Sequence, residues 1–189
     1  AIQTPARLKG VEFVVACDVT TTFTDAAKVF GPQKGASPAQ VQLLTTRLER
    51  LVQMYKETYG VDVSLLPGAG AAGGLAGGLA ALGANLVPGF DLVAQEVLLD
   101  ELLIDVDLII TGEGYMDNES FSGKVVGSMA ELAAEKKIQI SAICGDIHQD
   151  VQGRLNAVSL VELFGLESAM HQPLHCIEQA ALKILREAK

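Results

Sequence analysis

The stretch Thr111–Lys124, "TGEGYMDNESFSGK", gathers more chemically capable side chains than any other part of the chain. Glu113 and Asp117 stand four residues apart, Asn118, Ser120 and Ser122 add an amide and two hydroxyls, and Lys124 closes the run. Carboxylates, hydroxyls and a lysine are the groups needed to hold magnesium and a phosphoryl oxygen. Backbone amides around Gly112 and Gly114 can serve the same anion. A plainer alternative is that Asp117 and Ser120 cap a helix. Two further residues extend the set. Asp18 follows the apolar run "VEFVVAC" and suits a magnesium ligand or a general base, while Lys34 in "FGPQKG" suits an anion contact. Each alone is more often a solvated turn residue.

A second chemical candidate is "PGAGAAGGLAGGLAALGAN", where Gly68, Gly70 and Gly73 repeat the dinucleotide spacing G-x-G-x-x-G. The strand before it is short and Leu66-Pro67 intervenes, so the match alone is weak evidence for NAD; Asp91 downstream serves as ribose contact or helix cap. A helix from about Gly70 to Leu82 would carry five glycines, at roughly 1 kcal/mol each against alanine. Such a helix must pack closely on another backbone or let a ligand approach its main chain. A P-loop is excluded: at Gly123-Lys124 the required earlier glycine is Asn118, and Val125 replaces the magnesium-binding Ser or Thr. His171 and His175 are four apart, but Pro173 between them argues against one helix presenting a metal pair. His148 follows "CGD" at the end of a strand-like run and reads as a loop residue.

These groups need elements to position them. Val11–Ala16 reads as a buried strand. Ser37 then reads as an N-cap with Pro38 at the first helical position. Val41, Leu44, Leu48, Leu51, Val52 and Tyr55 recur at helical spacing, which predicts a long helix over Pro38–Tyr59 ended by Gly60. Val61–Leu66 alternates like a short strand leading into the glycines. A helix comes next, around Asp91–Leu103. Asp107–Thr111 reads as a strand ending in a Gly-Glu-Gly turn, then a helix, then "IQISAICGD" as a strand into a glycine turn. Ala157–Phe164 reads as a last strand and Pro173–Glu187 as a C-terminal helix. Alternating strands and helices predict an α/β architecture with a largely parallel sheet, in which ligands sit beyond the carboxyl ends of the strands. "LLPGAG", "IITGEG" and "AICGD" are the three such ends.

Composition narrows the function. With 189 residues, 49% hydrophobic content and mean hydropathy +0.32, the chain can bury a sizeable core. No apolar run is long enough to span a membrane, and "AIQTPARLKG" lacks the apolar region of a signal peptide, so the chain reads as cytoplasmic. A net charge of −9, no Trp and no basic cluster disfavour nucleic acid. Cys17, Cys144 and Cys176 are odd in number and widely spaced, which suggests neither a disulfide framework nor structural zinc, and Cys17 and Cys144, in apolar strand-like runs, read as buried small hydrophobes.

Taken in order, "VACDVT", "VFGPQKGA", "LPGAGAAGGLAGGLAALGANLVPGFDLV" and "DLIITGEGYMDNESFSGK" resemble the bacterial-type glycerate kinase family along nearly the whole chain. The resemblance implies ATP-dependent phosphorylation of D-glycerate with magnesium, giving 2-phosphoglycerate. It also implies a flavodoxin-like domain, of which 99–189 would be the C-terminal part, and a restriction-endonuclease-like domain, of which 1–98 would be a part, with the active site in the cleft between them. Phosphate or substrate would then fall to Lys34, Gly68, Gly70, Gly73, Gly112, Gly114, Ser122 and Lys124. Asp18, Glu113 and Asp117 would compete for the roles of base and metal ligand, with Asp18 and Asp117 as the metal candidates. Family members are about twice as long, so an N-terminal half of the same enzyme is expected as partner. Thr20–Lys28 is shorter than the family pattern and lacks its Gly-Pro-Asn-Gly turn. From a different class, a nucleotide- or acid-binding module without catalysis is the alternative.

Overall fold

The structure, a computed structural model, describes residues 10–188, and the N-terminal stretch considered for a signal peptide lies mostly outside them. The chain divides into two compact units, Ala1–Glu96 and Val97–Lys189. Among the described residues no helix is long and apolar enough to cross a membrane.

In the first unit, strand β1 (Val14–Cys17) pairs in parallel with β2 (Asn85–Pro88), Val14 opposite Asn85 and Cys17 opposite Pro88. Between them run α1 (Ala26–Phe30), a 3-10 turn (Pro32–Lys34), α2 (Pro38–Tyr59) and α3 (Ala71–Ala81), and α4 (Gly89–Glu96) comes after β2. Helix α2 has the bounds its sequence predicts. Ser37 accepts from the Gln40 amide while the Gln40 side chain accepts from the Ser37 amide, and Gly60 closes the helix in the left-handed region at φ +71°.

Val61–Leu66 is not a strand. The Asp62 carboxylate accepts from the amide and hydroxyl of Ser64 at 2.9 and 2.6 Å, which bends the chain where the alternation suggested extension. The glycine segment departs from expectation too. Ala72, Gly73 and Gly74 lie consecutively in the left-handed region, so regular helix begins only after them. That regular part of α3 packs against Phe23, which is 1% exposed at the centre of the core formed with Val52, Val63, Ala69, Ala80 and Ala81.

The second unit holds α5 (Leu99–Leu102), β3 (Leu108–Met116), α6 (Val125–Lys136), β4 (Gln139–Ile147), β5 (Asn156–Ser159), α7 (Leu160–His171) and α8 (Pro173–Glu187). Its sheet is parallel throughout, in the order β3-β4-β5. Side chains alternate across it. Ala142 and Cys144 meet Val126 of α6 on one face, while Ile143 meets Leu160, Cys176 and Ile184 of α7 and α8 on the other. Both units are thus α/β with parallel pairing, as the alternation of elements predicts.

Two expected glycine turns are strand instead. Gly112-Glu113-Gly114 lies inside β3 and Gly145 inside β4, because the two backbones run too close for side chains there: a Cβ on Gly112 would strike the Ile143 carbonyl, and one on Gly145 the Gly114 carbonyl. The expected last strand is shorter than predicted. Ser159 ends β5 by accepting from the Glu162 amide at 3.0 Å, which turns the chain into α7. Pro173 starts α8 just after α7 ends at His171, so His171 and His175 lie on different helices.

Gly77→Ala should destabilise the first unit by about 1–3 kcal/mol, since a Cβ there would meet the Phe23 ring and lie 2.9 Å from the Ala69 carbonyl oxygen. Thermal unfolding of both chains measures this, and an unchanged midpoint would contradict the close packing. A second expectation concerns acid. Lys56 at 2.7 Å and then Ser64 hold the Asp62 carboxyl down to about 2. The folded value lies below the unfolded one, so this contribution is complete above about 3.8 and is lost as pH falls through about 2. NMR titration of the Asp62 carboxyl should find its midpoint in that low range, and Lys56→Met should raise it.

Candidate functional site

In the second unit the parallel register carries the ends of β3 and β4 to the same level, Glu113 opposite Cys144, Tyr115 opposite Asp146 and Met116 opposite Ile147. Polar groups collect there. Glu113 is half-buried in β3, and its Oε1 is buried without a hydrogen-bond partner among the described residues. Beside it, burial pushes the Cys144 thiol up, and the Glu113 carboxylate adds to that push while a backbone hydrogen bond from Glu113 opposes it. A buried carboxylate oxygen with no donor is unfavourable unless a proton or cation meets it.

Asp117 has a different setting. Its Oδ1 accepts from the amides of Glu119 and Ser120 at 2.8 and 3.3 Å, and the Ser120 hydroxyl accepts in turn from the Asp117 amide. This reciprocal cap on the 3-10 turn Asn118–Phe121 is the plainer reading of Asp117 and Ser120. Ser122 is exposed, its hydroxyl 3.4 Å from the Asn118 carbonyl oxygen. Lys124 sits at the N-cap position of α6 with its Nζ 3.3 Å from Glu119 Oε2. Gly112 and Gly114 are exposed along β3.

Sequence reasoning passed over Asp146. It ends the run "AICGD" on the central strand, and its Oδ1 accepts from the Ser159 hydroxyl at 3.0 Å and from the Ile147 amide at 2.9 Å. The signal was the strand-end position itself. Nearby, the His148 ring stands edge-on to Tyr115, with centroids 6.5 Å apart.

In the first unit Asp18 is exposed just after β1, and its side chain has no hydrogen-bond or ion-pair partner among the described residues. Gly68 and Gly70 are buried. Gly68 takes φ +80° with its missing Cβ against Cys17, and the Gly70 amide donates to the Thr21 carbonyl at 2.9 Å, so close packing is what these two glycines visibly provide. In the short Thr20–Lys28 loop, the Thr22 hydroxyl and then Lys28 hold the Asp25 carboxyl below its ordinary value. Gly73 is exposed at φ +72°, beside Ala72 at φ +52°. Left-handed backbone at Ala72 costs about 1–2 kcal/mol. Strain of this kind clusters where main chain is held for a ligand. Gly73 and Lys34 line one cavity of about 650 Å³ together with Phe30, Leu43, Leu44 and Arg47.

Among the described residues no group of three His, Cys, Asp or Glu is placed to hold a metal ion. Magnesium is ordinarily held by one or two carboxylates plus phosphate oxygens and water. Glu113, with its orphaned oxygen, fits that donor chemistry better than Asp117, one of whose oxygens already accepts two amides.

Parallel strands flanked by helices, with acids, hydroxyls and a lysine where the strands end, form the arrangement of ligand-handling α/β proteins. The chain belongs to the glycerate kinase family, whose sequence model matches residues 1–189. It is 39% identical over 188 residues to a glycerate kinase of Halalkalibacterium halodurans, covering 94% of this chain and 50% of that protein. It is 41% identical over 149 residues to the glycerate 2-kinase of Escherichia coli, covering 77% and 39%. A crystal structure from Salmonella typhimurium LT2, provisionally described as glycerate kinase 2, superposes with TM-score 0.60 at 39% identity, covering 81% of this chain and 40% of that one. The chain therefore spans about half the length of the curated relatives it matches.

Asp117→Ala should lower stability by about 1 kcal/mol through loss of the cap, whereas Asp117→Asn should keep most of it. Denaturant unfolding distinguishes them, and equal losses would contradict the capping geometry.

Proposed function

We propose that the chain supplies part of a glycerate kinase, which transfers the γ-phosphoryl group of ATP to a hydroxyl of D-glycerate and yields 2-phosphoglycerate and ADP. The observation that carries this reading is membership of the glycerate kinase family over residues 1–189. The geometry at the ends of β3 and β4 supports it.

Phosphoryl transfer asks a protein chiefly to position its reactants and to neutralise developing charge. Lys124 and the amides around Gly112 and Gly114 suit the phosphate oxygens, and Ser122 can donate a hydroxyl from the same segment. Glu113 is the strongest candidate for a ligand to magnesium, because its buried oxygen has no donor among the described residues. Asp117 in the same unit and the exposed Asp18 in the first unit are the further carboxylates proposed for a metal-ligand or proton-acceptor role. Magnesium, when bound, neutralises charge on the transferring phosphate. Lys34 and the exposed Gly73 suit the anion contacts expected of the first unit, whereas Gly68 and Gly70 are buried and the Gly70 amide is already bonded to the Thr21 carbonyl.

The relatives' remaining half is the proposed partner. Mixed with a polypeptide spanning that half, the chain should turn over ATP and D-glycerate in a coupled assay. Glu113→Gln should then lower kcat about 10²-fold or more, and Lys124→Ala should lower kcat/KM for ATP by about 10- to 100-fold. Ligand binding with no turnover from any such mixture would favour a binding module and overturn the kinase reading.

A further inference from the structure

The cavity of the first unit combines two properties that point to one kind of ligand. Its walls are largely apolar, with Phe30 from α1 and Leu43 and Leu44 from α2. Its charges are all positive. Lys34 and Arg47 line it, no acidic side chain does, and neither cation has a hydrogen-bond or ion-pair partner among the described residues. In a chain of net charge −9, an acid-free wall with two unpaired cations favours an anion at short range.

Size decides between the two substrates of the proposed reaction. The cavity is an open groove of about 650 Å³, in the size range of sites that hold a drug-sized molecule. Glycerate, with three carbons and no apolar surface to bury, would leave most of it empty and its leucines unused. A nucleotide matches both halves of the lining, because its base is flat and largely apolar while its phosphates are anionic. Gly73 adds open main chain at the border, since a Cβ there would meet nothing within 4 Å.

We propose that this cavity receives the adenine nucleotide, with the base against Phe30, Leu43 and Leu44 and the phosphates nearest the ribose toward Lys34 and Arg47, the transferred phosphoryl group being left to the groups named above. The identity of the nucleotide rests on the kinase reading above; the anionic, part-apolar character of the ligand rests on the lining alone. Arg47 is thereby assigned a binding role that the motifs did not suggest.

Isothermal titration of the 189-residue chain with ATP, tripolyphosphate and D-glycerate tests the site. ATP should bind. Arg47→Glu should weaken both ATP and tripolyphosphate by about tenfold or more, whereas the neutral Leu44→Asn should weaken ATP by about tenfold and leave tripolyphosphate unchanged. Both positions are exposed on α2, and circular dichroism checks that the helix persists. The site is overturned if the chain does not bind ATP, if both variants hold ATP within about twofold of the parent, or if D-glycerate displaces ATP. Kinase chemistry is judged separately. Should the reconstituted enzyme fail to turn over while ATP binding responds to Arg47 and Leu44 as stated, the nucleotide site stands and the kinase reading falls.

Discussion

Between β3 and β4 the two backbones run so close that neither Gly112 nor Gly145 has room for a methyl group against the facing carbonyl. That approach holds the strands in register for eight paired positions, from Leu108 opposite Gln139 to Met116 opposite Ile147. That register sets Glu113 opposite Cys144 and Asp146 opposite Tyr115. A side chain at either glycine would force the strands apart. The polar end of the sheet arises from a backbone contact rather than from any pair of side chains.

The first unit uses glycine in the same physical sense but on a helix. Phe23 fills the space above Gly74 and Gly77, and Gly70 passes its amide to Thr21 across the loop after β1. One large ring set against bare backbone anchors the core. The left-handed run at Ala72–Gly74 lies at the rim of that packing, where the chain turns from buried glycine to the exposed Gly73 beside the cavity. Packing and ligand approach, which the glycine count alone left as rivals, are divided here between different glycines of one segment.

Charge is distributed against the overall balance. Several lysines are paired locally: Lys28 with Asp25, Lys56 with Asp62, Lys124 with Glu119 and Lys136 with Asp100. Exposed pairs of this kind contribute little to stability. Lys34 and Arg47 have no such partner among the described residues and stand on one largely apolar wall. A chain of net charge −9 can therefore still present a locally positive surface to an anion.

Much was legible in the residues themselves. The bounds of α2 stem from Ser37, Pro38, Gln40 and Gly60, and the start of α8 stems from Pro173, because caps and prolines act within a few residues of the positions they govern. The alternation of strand and helix, the burial of Cys17 and Cys144, and the motifs that identify the family were likewise readable from order and spacing. Other features were decided only in the folded chain. Gly112-Glu113-Gly114 reads locally as a turn and becomes strand because β4 lies against it. Asn85–Pro88 gives little local sign of a strand and becomes one because β1 offers its edge. The isolation of Glu113, the grip of Ser159 on Asp146 and the meeting of Arg47 with Lys34 join residues from different elements, and no local preference encodes which elements will meet. Sequence determined what each segment prefers over a few residues; tertiary packing decided which backbone has no room for a side chain and which charges are left without a partner.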